Sequence, residues 1–273
     1  MNRRIRLLPI VLAIGAIAWF YFSSPTFINP ETGRKSKVGL SEAEEQTLGL
    51  QSFQQVLTQS QTIQTGSDYN LVVKVARRLI TVVDDSARSF QWRVALVQND
   101  QQNAFCLPGG EIVVYTGILL LTQSEAGLAT VLGHEIAHAT SRHGAQRIFQ
   151  QNALQIALMG VQGSISDLDD GTRRQLLGLL GAGAQYGVLL PFSRQHELEA
   201  DQIGLKYMAK AGYNPQEALA FWKRMMESKN GQQPPELMST HPADSTRISQ
   251  LETLMPSALE EYQKVLAASK SGS

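Results

Sequence analysis

Residues 134–138 read His134-Glu135-Ile136-Ala137-His138, inside the apolar run Leu128 to Ala139. On a helix, positions four apart share one face, so both imidazoles can reach a single metal ion. Zinc accepts histidine nitrogens at about 2.0–2.1 Å, and catalytic sites commonly keep one coordination position open. Glu135 follows the first imidazole and falls beside that position, where a carboxylate can take a proton from an activated water and later deliver it to a leaving amine. Five-residue matches of this kind also arise by chance. Two histidines on so apolar a helix nevertheless need a compensating partner.

A third ligand is required, and residues 197–201 offer one. Glu197-Leu198-Glu199-Ala200-Asp201 opens a predicted helix with Glu197 and Asp201 on one face. Glu197 can supply an anionic ligand. Asp201, one turn further on, can accept the free N–H of a zinc-bound histidine and fix its tautomer. Glu199 is expected to point away and be solvated. His143 lies off the His134/His138 face, and His196 stands beside Glu197; both read as structural. All 5 histidines of the chain sit in or beside these motifs.

Working outward, Ser124 is placed to cap the helix that carries Leu128, Val131, Leu132 and Ile136. Upstream, Phe90, Trp92, Val94 and Leu96 alternate with other residues as in a strand, and Ile112-Val113-Val114-Tyr115 follows the turn residues Pro108, Gly109 and Gly110. Together these predict a small antiparallel sheet. The segment Gly110, Glu111, Ile112, Val113, Val114 is either an exposed edge that pairs with an extended substrate or an ordinary core strand. Ser41 with Glu44 forms a capping-box pattern before Leu48, Phe53, Val56 and Leu57. A second helix is predicted after Asp68, with Leu71, Val72, Val75, Leu79 and Ile80 inward. Gly212 closes one later helix and Pro215 opens another.

At the start of the chain, Arg3, Arg4 and Arg6 precede an uncharged apolar run from Leu7 to Phe22 that ends in Trp19, Phe20, Tyr21 and Phe22. This reads as a membrane anchor (residues 1–22), with the positive residues cytoplasmic and the rest across the membrane. Ala16-Ile17-Ala18 offers the alternative of a cleaved signal, which would release the chain to the periplasm. Residues 23–40 read as a linker, 41–268 as the catalytic domain and 269–273 as a frayed tail. The glycine-rich stretch Leu176 to Phe192, with Gln185 and Gly187, reads as a buried or interfacial hairpin. Lys plus Arg equals Asp plus Glu, 24 each, so no charge excess attracts nucleic acid. Cys106 is alone, which excludes an intrachain disulfide, and is expected to be packed rather than reactive.

The pieces Asn103 to Gly110, His134 to His143, Glu197 to Asp201, and Thr240-His241-Pro242 with Arg247 resemble, in order and spacing, metallopeptidase family 48, the membrane-associated gluzincins. Asn29-Pro30-Glu31-Thr32-Gly33-Arg34 is similar to a segment of the mitochondrial and related bacterial members. The resemblance implies an α+β fold, a mainly helical zincin domain with a small sheet. It implies one zinc ion per chain on His134, His138 and Glu197, Glu135 as general base, and Asp201 behind His134. His241 and Arg247 match positions that face bound peptide and could stabilise an oxyanion; in some envelope members the residue matching His241 instead closes the zinc site. The implied activity is endopeptidase cleavage of misfolded or misassembled envelope proteins. A membrane-tethered holdase with a structural or closed zinc site is the competing expectation.

Overall fold

In the computed structural model, which describes residues 6–184, 189–227, 236–242 and 245–271, helix α1 (Leu7–Ser23) leads into a hairpin of β1 (Thr26–Ile28) and β2 (Lys35–Lys37). Next come α2 (Glu42–Gln59), β3 (Thr62–Ile63), α3 (Ser67–Ile80) and a 3-10 turn (Asp85–Ser89). Strands β4 (Arg93–Val97), β5 (Ala104–Leu107) and β6 (Glu111–Tyr115) follow, then α4 (Thr116–Thr122), α5 (Glu125–Thr140) and α6 (His143–Ser164). The remainder is helical: α7 (Asp170–Ala184), α8 (Leu190–Lys210), α9 (Gln216–Glu227), α10 (Glu236–Thr240) and α11 (Ser245–Ser271). This is the mainly helical α+β zincin arrangement, and α11 continues through residues expected to fray.

The chain divides into two compact units: Met1–Asn29, Gly33–Ser41 and His143–Gln195 form the first, and Pro30–Thr32, Glu42–Arg142 and His196–Ser273 the second. In the first unit α1 runs antiparallel along α6. Phe20 stacks on Phe149 with ring centroids 4.9 Å apart, and a Cβ on Gly160 would collide with that of Ala13. Arg6 closes the far end with two hydrogen bonds to Asp167, at 2.8 and 2.9 Å. Among the described residues α1 is packed along this stripe; Leu8, Leu12, Trp19 and Phe22 are exposed and no residue of the helix is buried. At about 1.5 Å per residue its 17 residues reach about 25 Å, against a hydrocarbon layer of about 30 Å. No helix among the described residues is long and apolar enough to cross a membrane. Arg3, Arg4, Gln185 and Gly187 lie outside the described residues, and Leu179 of the expected hairpin is exposed on α7. Residues 26–37, expected as a plain linker, form the β1–β2 hairpin, whose loop turns on Gly33 at φ +72°.

In the second unit the sheet order is β3-β4-β6-β5. Three features that the sequence reading left open, missed or read otherwise are visible here. The β4–β6 pairing is parallel, so the sheet is mixed, with antiparallel partners at both ends. β5, whose four residues carry little strand signal of their own, forms a hairpin with β6. And β6 is interior, paired on both sides, so Glu111 to Val114 is no free edge. The physical reason is visible in its residues. Side chains alternate across a strand, and here both faces are covered: Ile112 and Val114 pack with Leu96, Val72, Leu128 and Leu132, while Val113 packs with Ala95, Val97 and Phe53. A strand buried on both faces reads as an unbroken apolar run. The edges of the sheet are instead β3 and β5, and β5 lies against α5.

Helix α2 covers the second face through Glu45, Gly49 and Phe53, leaving Leu48 exposed. Gly49 is obligatory, because a Cβ there would sit 1.7 Å from the Pro108 carbonyl oxygen. Helices α3 and α5 cover the other face, and Phe221 and Trp222 of α9 complete the core around α5.

Candidate metal centre

Ser124 begins the site. Its hydroxyl accepts the Gly127 N–H at 2.9 Å, as the capping pattern predicted, and α5 is buried continuously from Gly127 to Ala137. Helix α8 approaches it where both chains are bare: a Cβ on Gly133 would lie 3.2 Å from the Gly204 carbonyl oxygen, and one on Gly204 would lie 3.1 Å from the His134 nitrogen. Such close backbone approach lets side chains of two helices converge.

They do converge. His134 Nε2 lies 3.1 Å from His138 Nε2, 3.2 Å from Glu197 Oε2 and 3.2 Å from His241 Nδ1. His138 Nε2 is 3.4 Å from Glu197 Oε1, and His241 Nδ1 is 3.0 Å from either Glu197 oxygen. Donors held tetrahedrally about 2.05 Å from one ion would be about 3.3 Å apart. The donor set, three imidazoles and one carboxylate, is one that zinc accepts. The cluster thus fits a tetrahedral ion, with His241 at the corner that a water or substrate would need.

Glu135 is buried over this cluster, its Oε1 3.5 Å from His241 Nε2 and without a hydrogen-bond partner among the described residues. Burial pushes its carboxyl up, against the pull of His241 and His134. Glu197 would also be raised by burial, but the charge of His138 and hydrogen bonds from the three imidazoles hold it far below the usual carboxylate range. For His134, burial disfavours the charged form, yet contacts with Asp201 and Glu197 outweigh it and lift the imidazole to about 9.

Behind the ligands, Asp201 Oδ1 is 3.0 Å from His134 Nδ1, the place expected for it. Arg247 is a correction. Expected to face bound peptide, it is 4% exposed, grips both Asp201 oxygens at 2.6 and 2.7 Å, lies 3.2 Å from Glu197 Oε2, donates to the His241 and Pro242 carbonyls at 3.2 Å, and lies 4.0 Å from the Trp222 ring centre. From there it braces the carboxylates and the His241 segment. Glu199 is a second correction, for it is buried and accepts a hydrogen bond from Thr32. Glu111, in the strand left open between substrate edge and core, is 2% exposed beside Gly49 and Gly109 and is paired with Arg93 at 3.2 Å. His143 and His196 are buried outside the cluster, and burial holds the Cys106 thiol well up, in agreement with a packed role. The edge position of β5 and the brace formed by Trp222 went unread in the sequence; the Pro108-Gly109-Gly110 turn was the one local sign of a β5–β6 hairpin.

A model of peptidase family M48 matches residues 70–255. The chain belongs to that family. It is a zinc metalloendopeptidase by that membership, and the cluster just described is its candidate metal centre. Among relatives, it is 32% identical over 242 residues to the mitochondrial metalloendopeptidase OMA1 of Schizosaccharomyces pombe, covering 88% of this chain and 69% of that protein. It is 28% identical to the protein of the same name from Saccharomyces cerevisiae, over 93% of this chain and 76% of the relative. A beta-barrel assembly-enhancing protease of Yersinia pestis is 32% identical over 81% of this chain, which spans 46% of its length. M48 membership and the converging donors agree.

Proposed function

We propose that His134, His138 and Glu197 hold one zinc ion per chain, that Glu135 is the general base for peptide-bond hydrolysis, and that His241 closes the site at rest. The observation that carries this reading is the set of near-tetrahedral spacings among four donors drawn from α5, α8 and the turn after α10. A bound zinc supplies Lewis acidity, which polarises the scissile carbonyl and makes water nucleophilic near neutral pH. Glu135 takes the proton released by the attacking water and hands it to the departing amine. Asp201 keeps the His134 ring turned with Nε2 toward the ion, and Arg247 keeps Asp201 in place. His241 must swing aside before a substrate carbonyl can enter.

Substrate is read as an extended stretch of protein that adds to the free side of β5, Ala104–Leu107, bonding through its backbone with little demand on side chains. Misfolded or misassembled envelope proteins would present such stretches, and the bacterial relatives are named for β-barrel assembly. We assign membrane attachment to α1, whose exposed apolar surface and aromatic end at Trp19, Tyr21 and Phe22 suit a bilayer and its interface; the catalytic unit then works on the non-cytoplasmic side.

One observation favours a second reading. Four donors already fill a tetrahedron, as in a site held permanently shut in a membrane-tethered holdase. Glu135→Gln separates the two: cleavage of an unfolded test protein such as casein should fall by about 100- to 10,000-fold while zinc stays near one ion per chain. Full activity in that variant refutes the endopeptidase mechanism. Wild-type protein that prevents aggregation but never cleaves would establish the holdase.

A further inference from the structure

Helix α8 presents two faces to the protein. Glu197 and Asp201 lie on the one turned to the metal cluster. Glu199 is two residues from Glu197, about 200° round the helix, and so lies on the back. Lys206 follows Glu199 by seven residues, which returns it to the same back stripe about 10.5 Å further along. Both back-face residues are taken by one short loop. Thr32 Oγ1 donates to Glu199 Oε1 at 2.6 Å, and Lys206 Nζ donates to Glu31 Oε2 at 2.5 Å. The two carboxylates are themselves enclosed, with 7% of Glu199 and 7% of the Glu31 side chain exposed. One residue beyond Lys206, the buried Tyr207 hydroxyl meets Thr140 Oγ1 at 3.2 Å, tying α8 to the end of the helix that carries His134 and His138.

We infer that Glu31 and Thr32 are positioning residues for the metal centre: a two-point clip on the back of α8 that fixes the rotation and axial setting of Glu197. Two anchor points two turns apart resist both twisting and sliding of the helix, which a single contact would not. The front of α8 is set by Arg247 on Asp201, so the ligand helix is gripped from both sides. Without the Thr32 hydroxyl, the buried Glu199 carboxylate would lose a charge-assisted hydrogen bond, loosening the setting of α8 and with it of Glu197. Pro30–Thr32, although read as linker in the sequence, are therefore a working part of the catalytic unit.

This inference rests on the zinc reading of His134, His138 and Glu197, and its test keeps the two apart. In the full chain, Thr32→Val should weaken zinc binding about tenfold, read by chelator competition. It should also lower kcat with KM unchanged and alter the visible spectrum of the cobalt-loaded protein. Thr32→Ser, which keeps the hydroxyl, should restore all three. Gln202→Ala, an exposed change on the same helix, should leave zinc affinity alone. If Thr32→Val does not fold, Glu31→Gln takes its place with the same expected result. Unchanged zinc affinity in the variant that folds overturns the clip, as does a lowered melting temperature of the metal-free protein with no change in zinc affinity. A wild-type chain that takes up no zinc overturns instead the reading on which the clip depends.

Discussion

Helices α1 and α5 are nearly equal in length, 17 and 16 residues, and both are dominated by apolar side chains, yet their fates are opposite. In α5 all but a few residues are buried, including His134 and Glu135; in α1 none is. Apolar content therefore says that a helix needs cover without saying what the cover is. For α5 it is the protein's own sheet and α9. For α1, among the described residues, one stripe is covered and the rest of its apolar surface is exposed, which the proposed membrane attachment would account for. The titratable groups sort the two. Histidines and a carboxylate inside an apolar helix are tolerable only where partners are built around them, and a run without a single polar charge has no such need.

Several substitutions would break or sharpen this contrast. His138→Ala should cut zinc affinity by more than about a thousandfold, seen as loss of metal on dialysis, because one of the converging donors disappears. In the core stripe of the same helix, Leu132→Ala should lower stability by about 2–5 kcal/mol in urea unfolding, since the cavity cannot be refilled from such close packing. Asp201→Asn leaves every ligand in place but should weaken zinc binding by about 10- to 100-fold, measured by competition with a chelator, because the His134 ring loses its fixed orientation.

A smaller effect is expected from pH. Burial pushes Glu45 from its ordinary 4.5 up to about 7 despite the neighbouring Arg142, 2.6 Å away. A raised carboxyl favours the folded state below pH 4.5, and that contribution is lost as pH rises through 7. Glu45→Gln should therefore gain a few degrees of melting temperature on wild type between pH 4.5 and 7 and no more above it. Smallest of all, Leu8→Lys with Leu12→Lys on α1 should change unfolding free energy by less than about 0.5 kcal/mol while abolishing sedimentation with lipid vesicles. A large stability loss there would show that α1 is covered by protein after all.

Sequence pattern conveyed those features that depend on neighbours within a turn or two. The His134/His138 face, the Ser124 cap, the Glu197/Asp201 pair and the Val72-to-Leu79 stripe of α3 all belong to that class. What escaped was set by distant partners. Whether Ile112-Val113-Val114 is edge or interior depends on where β4 and β5 land, although the unbroken run already favoured an interior strand. Glu199 looked solvated because it points away from the Glu197/Asp201 face; a partner reaches it from residue 32. Arg247 was read as facing substrate because it matches a position of the family that faces bound peptide, and only tertiary structure shows its donors engaged with Asp201 and two carbonyls.

The meeting of Gly133 and Gly204 carries a consequence for ion selectivity. Main chain alone, with no side chain between, sets the gauge between the helix that bears the imidazoles and the helix that bears Glu197. A methyl added at either glycine would act as a shim of a few tenths of an ångström, which is the difference between the bond lengths of zinc and those of a larger cation. On the zinc reading, a side chain at either glycine would therefore be expected to shift the preference of the centre toward a larger ion, although neither residue is among its donors.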